Sequence, residues 1–356
     1  VADGETAEPT SILPFMLKFL GIASPHSLHV HPSRTRAIKG FEREAQAGIP
    51  ALSAERVYVD AFERTEFVVA RGSLETLCGF RPPDELAETV ALAESGGHRL
   101  IRELLKRLKG SPGRVEYALF SYDVLKTPPE TLRTALQATE RRMRELRDSG
   151  RIPHGLAGAV DWTIRMIERF PFEIGALAPF VLNYVELRDG DALLIAPGEP
   201  HTHLQGAAIE ASSNSDNILR AAITKRRADV AELLSNLNFD PRKPPIMSPE
   251  RYEFPGVTVD AYPVVTPRFQ LERYELHGGE LELESFGDEL LLSEDEGASI
   301  ALASRGAKLM LEGRRAALAT SKRRGRRLPE KDSSKGDRYA VSGHGSLWRA
   351  CAPRLR

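Results

Sequence analysis

The hydrophobic period of this chain changes twice, and those two changes constrain its fold more than any other feature. Residues 12–82 carry compact apolar runs, ILPFMLKFLGI and EFVVA, bounded by Pro, Gly and Ser. Runs of this length and composition suit buried strands joined by loops. From Asp84 the apolar residues recur every three or four positions, which predicts a helical block over 83–171. DELAETVALAESGGHRLIRELLKRLKG is helical in pattern and broken by a Gly pair. TPPETLRTALQATERRMRELRDSG opens with Thr127, two prolines and Glu130, a helix-start signal. A third helix is expected over Leu156–Arg169. After Phe172 short strand-like runs return: VLNYVEL, DALLIAPGEPH and GAAIEAS. DVAELLSNL reads as a short helix opened by Asp229, and DPRKPP at 240–245 has the composition of a linker. Beyond it VTVDAYPVV, FQLERYEL, ELELESF and SIALAS alternate with period two. That period indicates antiparallel strands with one wet face, in a sandwich or barrel.

At 356 residues the chain is too long for one small core, and two or three domains are expected. Four segments follow from the pattern: 1–82, a helical insertion at 83–171, 172–240, and a β domain at 241–356. Apolar residues make up 41% and charged residues 28%, which excludes wholesale disorder. Basic and acidic residues number 49 and 50, so nothing in the charge points to nucleic acid or a membrane surface. Two cysteines, Cys78 and Cys351, exclude a disulfide framework and agree with a reducing compartment. No apolar run is long enough to span a bilayer, and a cytoplasmic location is expected. SKRRGRRLPEKDSSKGD, at 321–337, interrupts the strand pattern and reads as a solvated basic loop.

Chemistry concentrates in the histidines. Five of the nine fall in two groups: His26, His29 and His31 in SPHSLHVHPS, and His201 and His203 in PGEPHTHLQG. Residues two apart on a strand share a face, so His29 and His31 project together, as do His201 and His203. Imidazoles arranged in this way suit Zn, Fe, Ni or Cu. A catalytic zinc commonly takes three protein ligands and leaves a position open. Glu66 in TEFVVA and Glu210 in GAAIEAS are the carboxylate candidates, because an acid inside a β-run is costly to bury unless paired or metal-bound. SSNSDNILRAAITK adds Asp216, Arg220 and Lys225 within ten residues. An Arg and a Lys beside a metal can hold a phosphate or stabilise a developing oxyanion.

Long collinear stretches resemble one known family. PFMLKFLGIASPHSLHVHPS, KGFEREAQAGIPALSAERVYVD, ERTEFVVARGSLETLCGFRP and PGEPHTHLQGAAIEASSNSDNILRAAITKRRADVAELL follow the order found in type I mannose-6-phosphate isomerases. The closing GHGSLWRA is similar too. The resemblance covers about residues 12–240 strongly and the remainder weakly. It implies a mainly β, cupin-type architecture: a catalytic jelly-roll barrel from 1–82 and 172–240, a helical insertion, and a second cupin-like β domain. It also implies a zinc enzyme of carbohydrate metabolism, on the route to GDP-mannose, that interconverts mannose 6-phosphate and fructose 6-phosphate through a cis-enediol.

Matched position by position, the family's metal ligands fall on His29, His31, Glu66 and His201. Its catalytic arginine falls on Arg220, and further polar active-site positions fall on Glu210, Asp216 and Lys225. Glu210 is the expected base, and Asp216 and Lys225 are expected at the substrate, with Lys225 on its phosphate. His29 replaces the usual glutamine, Arg64-Thr65 the usual Lys-Pro, and His203 a tyrosine. Relatives carry more chain before the point where this sequence begins, so the family's first strands are expected to be missing. The expected state is a monomer acting on a small sugar phosphate. A non-catalytic metal- or sugar-binding cupin, and an iron-dependent cupin oxygenase, remain open on these residues.

Overall fold

The computed structural model describes residues 13–50, 53–225, 228–263, 265–277, 280–284, 289–293, 300–303, 308–312, 315–319, 338–342 and 346–351. The basic stretch 321–337 and the first twelve residues lie outside these. Two compact units emerge. One comprises Phe19–Glu210 with Ser215–Ser248, and the other comprises residues 13–18, Ala211–Asn214 and the described residues from Pro249 onward.

The first unit is organised by an eight-stranded sheet. Its strands are β1 (Phe15–Ile22), β2 (Leu28–Val30), β3 (Glu66–Phe80), β4 (Leu182–Arg188), β5 (Ala192–Ile195), β6 (His201–Ser213), β7 (Leu219–Ala222) and β8 (Ile246–Met247). The main order is β7-β2-β6-β3-β5-β8, with β1 paired to β6 and β4 paired to β3. β3 pairs antiparallel with β5 through its first residues, Glu66↔Ile195 to Val69↔Ala192, and with β4 from Ser73↔Arg188 onward. The strands on either side of the helical block are therefore neighbours, as residues of one barrel must be. Where β6 crosses β3, Gly206 adopts φ 129. A Cβ there would lie 2.2 Å from the Ser73 carbonyl oxygen, so only glycine permits this approach.

Between β3 and β4 the chain forms α2 (Pro83–Glu94), α3 (Arg99–Leu105), α4 (Arg114–Lys126), α5 (Pro129–Asp148), α6 (Ala157–Arg169) and the single-turn α7 (Ala178–Val181). Two further helices lie outside this block, α1 (Arg34–Gln46) and α8 (Val230–Asn236). α5 shows why the sequence pattern works. Leu132, Ala135, Leu136, Thr139, Met143 and Leu146 are buried along one face, and they pack into a core with α6 residues such as Val160 and Ile167. Asp229 caps α8 by accepting from the Glu232 N–H, as its position predicts.

Two expectations are corrected. Residues 12–82 were expected as strand and loop, yet α1 lies within them. Its buried residues are Ala37, Gly40 and Glu44, which make no apolar stripe. Gly40 packs flat against the Tyr58 ring, where a Cβ would fall 2.3 Å from it, and Glu44 accepts from the N–H groups of Val57 and Tyr58. α4 falls within the expected helical block, although Val115, Leu119 and Tyr122 are exposed and blur its periodicity. Thr127 does not open α5. Pro128 occupies that capping position, and the Thr127 hydroxyl donates back to the Asp123 carbonyl at the end of α4.

The second unit is β throughout its described residues beyond 249. β9 (Glu250–Phe254), β10 (Val257–Ala261), β11 (Gln270–Leu276), β12 (Glu280–Glu284), β13 (Glu289–Ser293), β14 (Ile300–Ala303), β15 (Lys308–Glu312), β16 (Arg315–Ala319), β17 (Arg338–Ser342) and β18 (Ser346–Cys351) follow in sequence. They form an antiparallel sheet in the order β14-β13-β18-β11-β10-β9 and a four-stranded sheet in the order β12-β15-β16-β17. Arg349 is buried in the first of these and forks onto Glu289 with bonds of 2.8 and 2.6 Å. Neither Cys78 nor Cys351 forms a disulfide, and both are buried.

Candidate metal centre

Antiparallel pairing brings the two histidine motifs together. β2 sits between β6 and β7, with His29 opposite His201 on one side and opposite Arg220 on the other. Residues opposite each other in a ladder project to the same face. Period two then adds His31 to that face. His29, His31 and His201 each place a ring nitrogen so that all three lie within 4.8 Å of one another, and all three are buried.

The second nitrogen of each ring identifies the form that faces inward. His29 Nδ1 lies 2.6 Å from the Ser27 carbonyl, His31 Nδ1 2.7 Å from that of Asn217, and His201 Nδ1 2.9 Å from that of Glu199. A carbonyl only accepts, so each Nδ1 carries the proton and donates. In the neutral ring Nε2 is then a bare lone pair. Glu66, at the start of β3, completes the cluster: its carboxylate oxygens lie 2.9 Å from His31 Nε2 and 3.3 Å from His201 Nε2.

Neither of those Nε2 atoms makes a well-directed hydrogen bond, although both are buried. Acceptors therefore meet acceptors, an arrangement that needs a cation to satisfy it. The donor set of imidazole nitrogens and one carboxylate suits a divalent transition ion such as zinc, and the backbone carbonyls behind the rings are the outer partners that such ligands ordinarily have.

The electrostatics agree. Burial holds His29 well below the usual imidazole range, reinforced by His201 and His31. Burial also lowers His31, against the pull of Glu66. Burial alone would raise Glu66, but His31, His201 and Arg64 overcome this and hold its carboxyl well below the usual carboxylate range. Neutral imidazoles beside an ionised carboxylate are the protonation states that metal ligands require.

Arg64 is the residue whose importance the sequence understated. Buried two positions before Glu66, it donates Nε to Glu66 Oε1 at 2.7 Å and Nη2 to Glu210 Oε1 at 2.8 Å. Its Nη1 reaches the Ser215 carbonyl at 3.0 Å and lies 3.7 Å from Asp216 Oδ1. One guanidinium thus joins Glu66, Glu210 and the 215–216 turn, a role for which its planar fork is suited. Asn217 is the other understated residue. Its carbonyl orients His31, while its side chain binds the Val59 N–H and the carbonyls of Asp60 and Phe62. Ser215 donates to Asp60 as well, so this turn anchors the loop that leads into β3. The signal available beforehand was the density of Ser and Asn in SSNSDN, residues that favour hydrogen-bonded turns.

The other named residues are placed as follows. Arg220 is half-buried on β7, opposite His29. Asp216 is exposed, and Lys225 is exposed three residues beyond the end of β7. Between Arg220 and Lys225, Ile223 holds φ 57, a backbone state that a β-branched side chain rarely adopts. Nothing among the described contacts brings Lys225 to the histidine cluster. His26 and His203 lie beside it, with ring centroids 6.2 Å apart, and burial pushes His203 down to about 3.

Comparison with known proteins agrees with this geometry. Residues 3–83 match the family model described as phosphomannose isomerase type I, catalytic domain. The mannose-6-phosphate isomerase of Salmonella typhimurium is 32% identical over 259 residues, covering 70% of this chain and 62% of that protein. The Escherichia coli enzyme of the same name is 34% identical over 231 residues, covering 64% and 55%. The chain thus spans less than two thirds of the length of these curated relatives. A crystal structure of zinc-bound mannose 6-phosphate isomerase superposes with a TM-score of 0.67 at 22% identity, covering 95% of this chain and 78% of that one. That match shows a shared, β-rich fold. Its sequence relatives, its domain match and its fold agree in likening the chain to the type I phosphomannose isomerases, with residues 3–83 matching their catalytic domain.

Proposed function

We propose that this chain is a zinc-dependent aldose–ketose isomerase that interconverts mannose 6-phosphate and fructose 6-phosphate. The observation that carries this reading is the convergence of three imidazoles and one carboxylate into a buried cluster whose inward atoms are acceptors. His29, His31, Glu66 and His201 hold the ion. When bound, zinc supplies Lewis-acid polarisation of the sugar's C1 and C2 oxygens.

The remaining chemistry falls to the chain. A proton must leave one carbon and return to its neighbour, so the base has to lie within hydrogen-bond reach of both. Glu210 is that base, and Arg64 fixes its carboxylate through the 2.8 Å bond to Oε1. Arg220 lies on the face that His29 occupies, and its guanidinium stabilises the enediolate charge. Asp216 and Lys225, both exposed, meet the substrate's polar end, with the Lys225 ammonium on the phosphate.

The organisation we infer is a catalytic barrel from 1–82 and 172–240, interrupted by the helical insertion 83–171, with 241–356 as a second cupin-like domain. The pairing of β3 with both β4 and β5 across the insertion supports it. We further place the protein in the cytoplasm as a monomer, upstream of GDP-mannose. The low cysteine content and the absence, among the described residues, of a helix able to cross a membrane agree with that location.

The test is a coupled assay on purified protein, with mannose 6-phosphate converted to fructose 6-phosphate and read through a linked dehydrogenase. Turnover that a chelator abolishes and zinc restores supports the isomerase. Stoichiometric metal without turnover would favour a metal-binding cupin instead. Consumption of oxygen by the iron-loaded chain would favour an oxygenase.

A further inference from the structure

We propose that Arg165 and Arg169, on α6, form a phosphate-binding site linked to the metal centre through β6 and separate from Lys225. The two lie four residues apart and so share one helix face. They line an open pocket of about 360 Å³, together with Trp162, Glu168 and Ala23, Ser24 and Pro25, the run leading into His26.

Arg165 is held in place from two sides. Its guanidinium carbon sits 3.6 Å from the centroid of the Trp162 ring, and its Nη2 donates to Gln205 Oε1 at 2.5 Å. Trp162 is itself buried and fixed, because its Nε1 donates to Glu75 Oε1 at 2.7 Å, an oxygen that also accepts from Tyr184. The entropy ordinarily lost in ordering a long cation has thus been spent before any ligand arrives.

The charge is also uncompensated. Glu168, the acid in the pocket wall, pairs with Arg144, and Asp161 one turn back pairs with Arg147. Neither Arg165 nor Arg169 has a carboxylate partner among the described residues. Two like charges at this spacing repel, and a dianion between them relieves the repulsion. Guanidinium groups match phosphate oxygens in geometry as well as charge.

The site is connected to the metal centre by one strand. His201, His203 and Gln205 alternate along a single face of β6, and Gln205 holds Arg165. Four residues of strand span ~13 Å between Cα atoms. The ligand chemistry is a phosphate dianion, either the substrate's own phosphate or a separate phosphate compound. The first source rests on the isomerase reading; the site itself does not.

Calorimetry with inorganic phosphate on the zinc-loaded chain, at fixed ionic strength, tests the proposal. The double variant Arg165→Ala/Arg169→Ala should bind phosphate at least tenfold more weakly than the unmodified chain. Arg147→Ala, on the same helical block, should bind as the unmodified chain does. Steady-state kinetics then separate the sources. A tenfold rise in KM for mannose 6-phosphate at constant kcat assigns the site to the substrate's phosphate. An unchanged KM with phosphate binding lost assigns it to a second compound. Equal phosphate affinity in the unmodified chain and the double variant, or no binding to either, overturns the proposal. Because the calorimetry needs no turnover, an inactive chain would refute the isomerase and leave this site standing.

Discussion

His29 stands directly between His201 and Arg220, paired with the first across the β2–β6 ladder and with the second across the β2–β7 ladder. One three-residue strand therefore carries a proposed metal ligand and fixes its register with Arg220, the proposed stabiliser of the enediolate. This arrangement makes Arg220 separable from metal binding. Arg220→Ala should leave metal content unchanged and lower kcat by ~10²–10³, the usual cost of removing one donor to a developing oxyanion. Arg220→Lys should recover only part, since an ammonium lacks the planar fork. Full activity in Arg220→Ala would reduce the residue to a structural charge.

The pH dependence of metal retention should carry the signature of His29. An imidazole must be neutral to coordinate. Burial holds His29 well below the ordinary imidazole pKa of ~6.5, so protons compete with the ion there only well below that value. Glutamine does not titrate. His29→Gln should therefore retain metal to lower pH than the unmodified chain, the difference opening well below pH ~6.5, measured as bound zinc after equilibrium dialysis. Superimposable curves would remove His29 from the ligand set.

The metal-free chain should itself weaken in acid. Burial lowers His29 and His31, and holds His203 at about 3. Below ~6.5 the unfolded chain takes up protons that the folded chain refuses, so stability falls as pH falls. The loss begins near pH 6.5 and continues towards 3 for His203, with a slope of up to ~1.4 kcal/mol per pH unit for each histidine. Glu66 acts in the same sense at lower pH. Its lowered pKa contributes stability that is complete above the ordinary carboxylate range and is lost as pH falls through the folded value. Chemical denaturation at pH 7.5, 6.5 and 5.5 measures the slope, and a flat profile would contradict the neutral, buried state of these rings.

Arg64 should matter more to stability than any exposed ion pair. It is buried and bound to Glu66 and Glu210 at once. Its removal takes a shared cation from two buried carboxylates, and breaking a buried pair typically costs about 3–5 kcal/mol. Arg64→Ala should shift the denaturation midpoint of the zinc-loaded protein by that amount, with Arg64→Lys between the two. A shift within the range of a surface ion pair, below about 1 kcal/mol, would count against the hub.

Much of this site was legible in the residues. The H-x-H spacing fixes which rings share a face, and it correctly places His29 with His31 and His201 with His203. That the two motifs meet was not legible from spacing. It depends on a strand pairing between residues far apart in the chain, which the family resemblance supplied. Arg64 was seen only as a retained positive charge, because a guanidinium bridging two acids on different strands leaves no local pattern. α1 escaped for a related reason: a glycine against Tyr58 and a buried Glu44 stand where a helix normally shows its apolar stripe. The basic run at 321–337 lies outside the described residues.

The central claim is that one ion is held by three imidazoles and a carboxylate. X-ray absorption at the zinc edge, on protein loaded with one equivalent, tests it most directly. A first shell of nitrogen and oxygen alone at ~2.0–2.2 Å is expected, with outer-shell imidazole scattering that diminishes in His201→Ala. A sulfur shell at ~2.3 Å, or a spectrum that His201→Ala leaves unchanged, would contradict it.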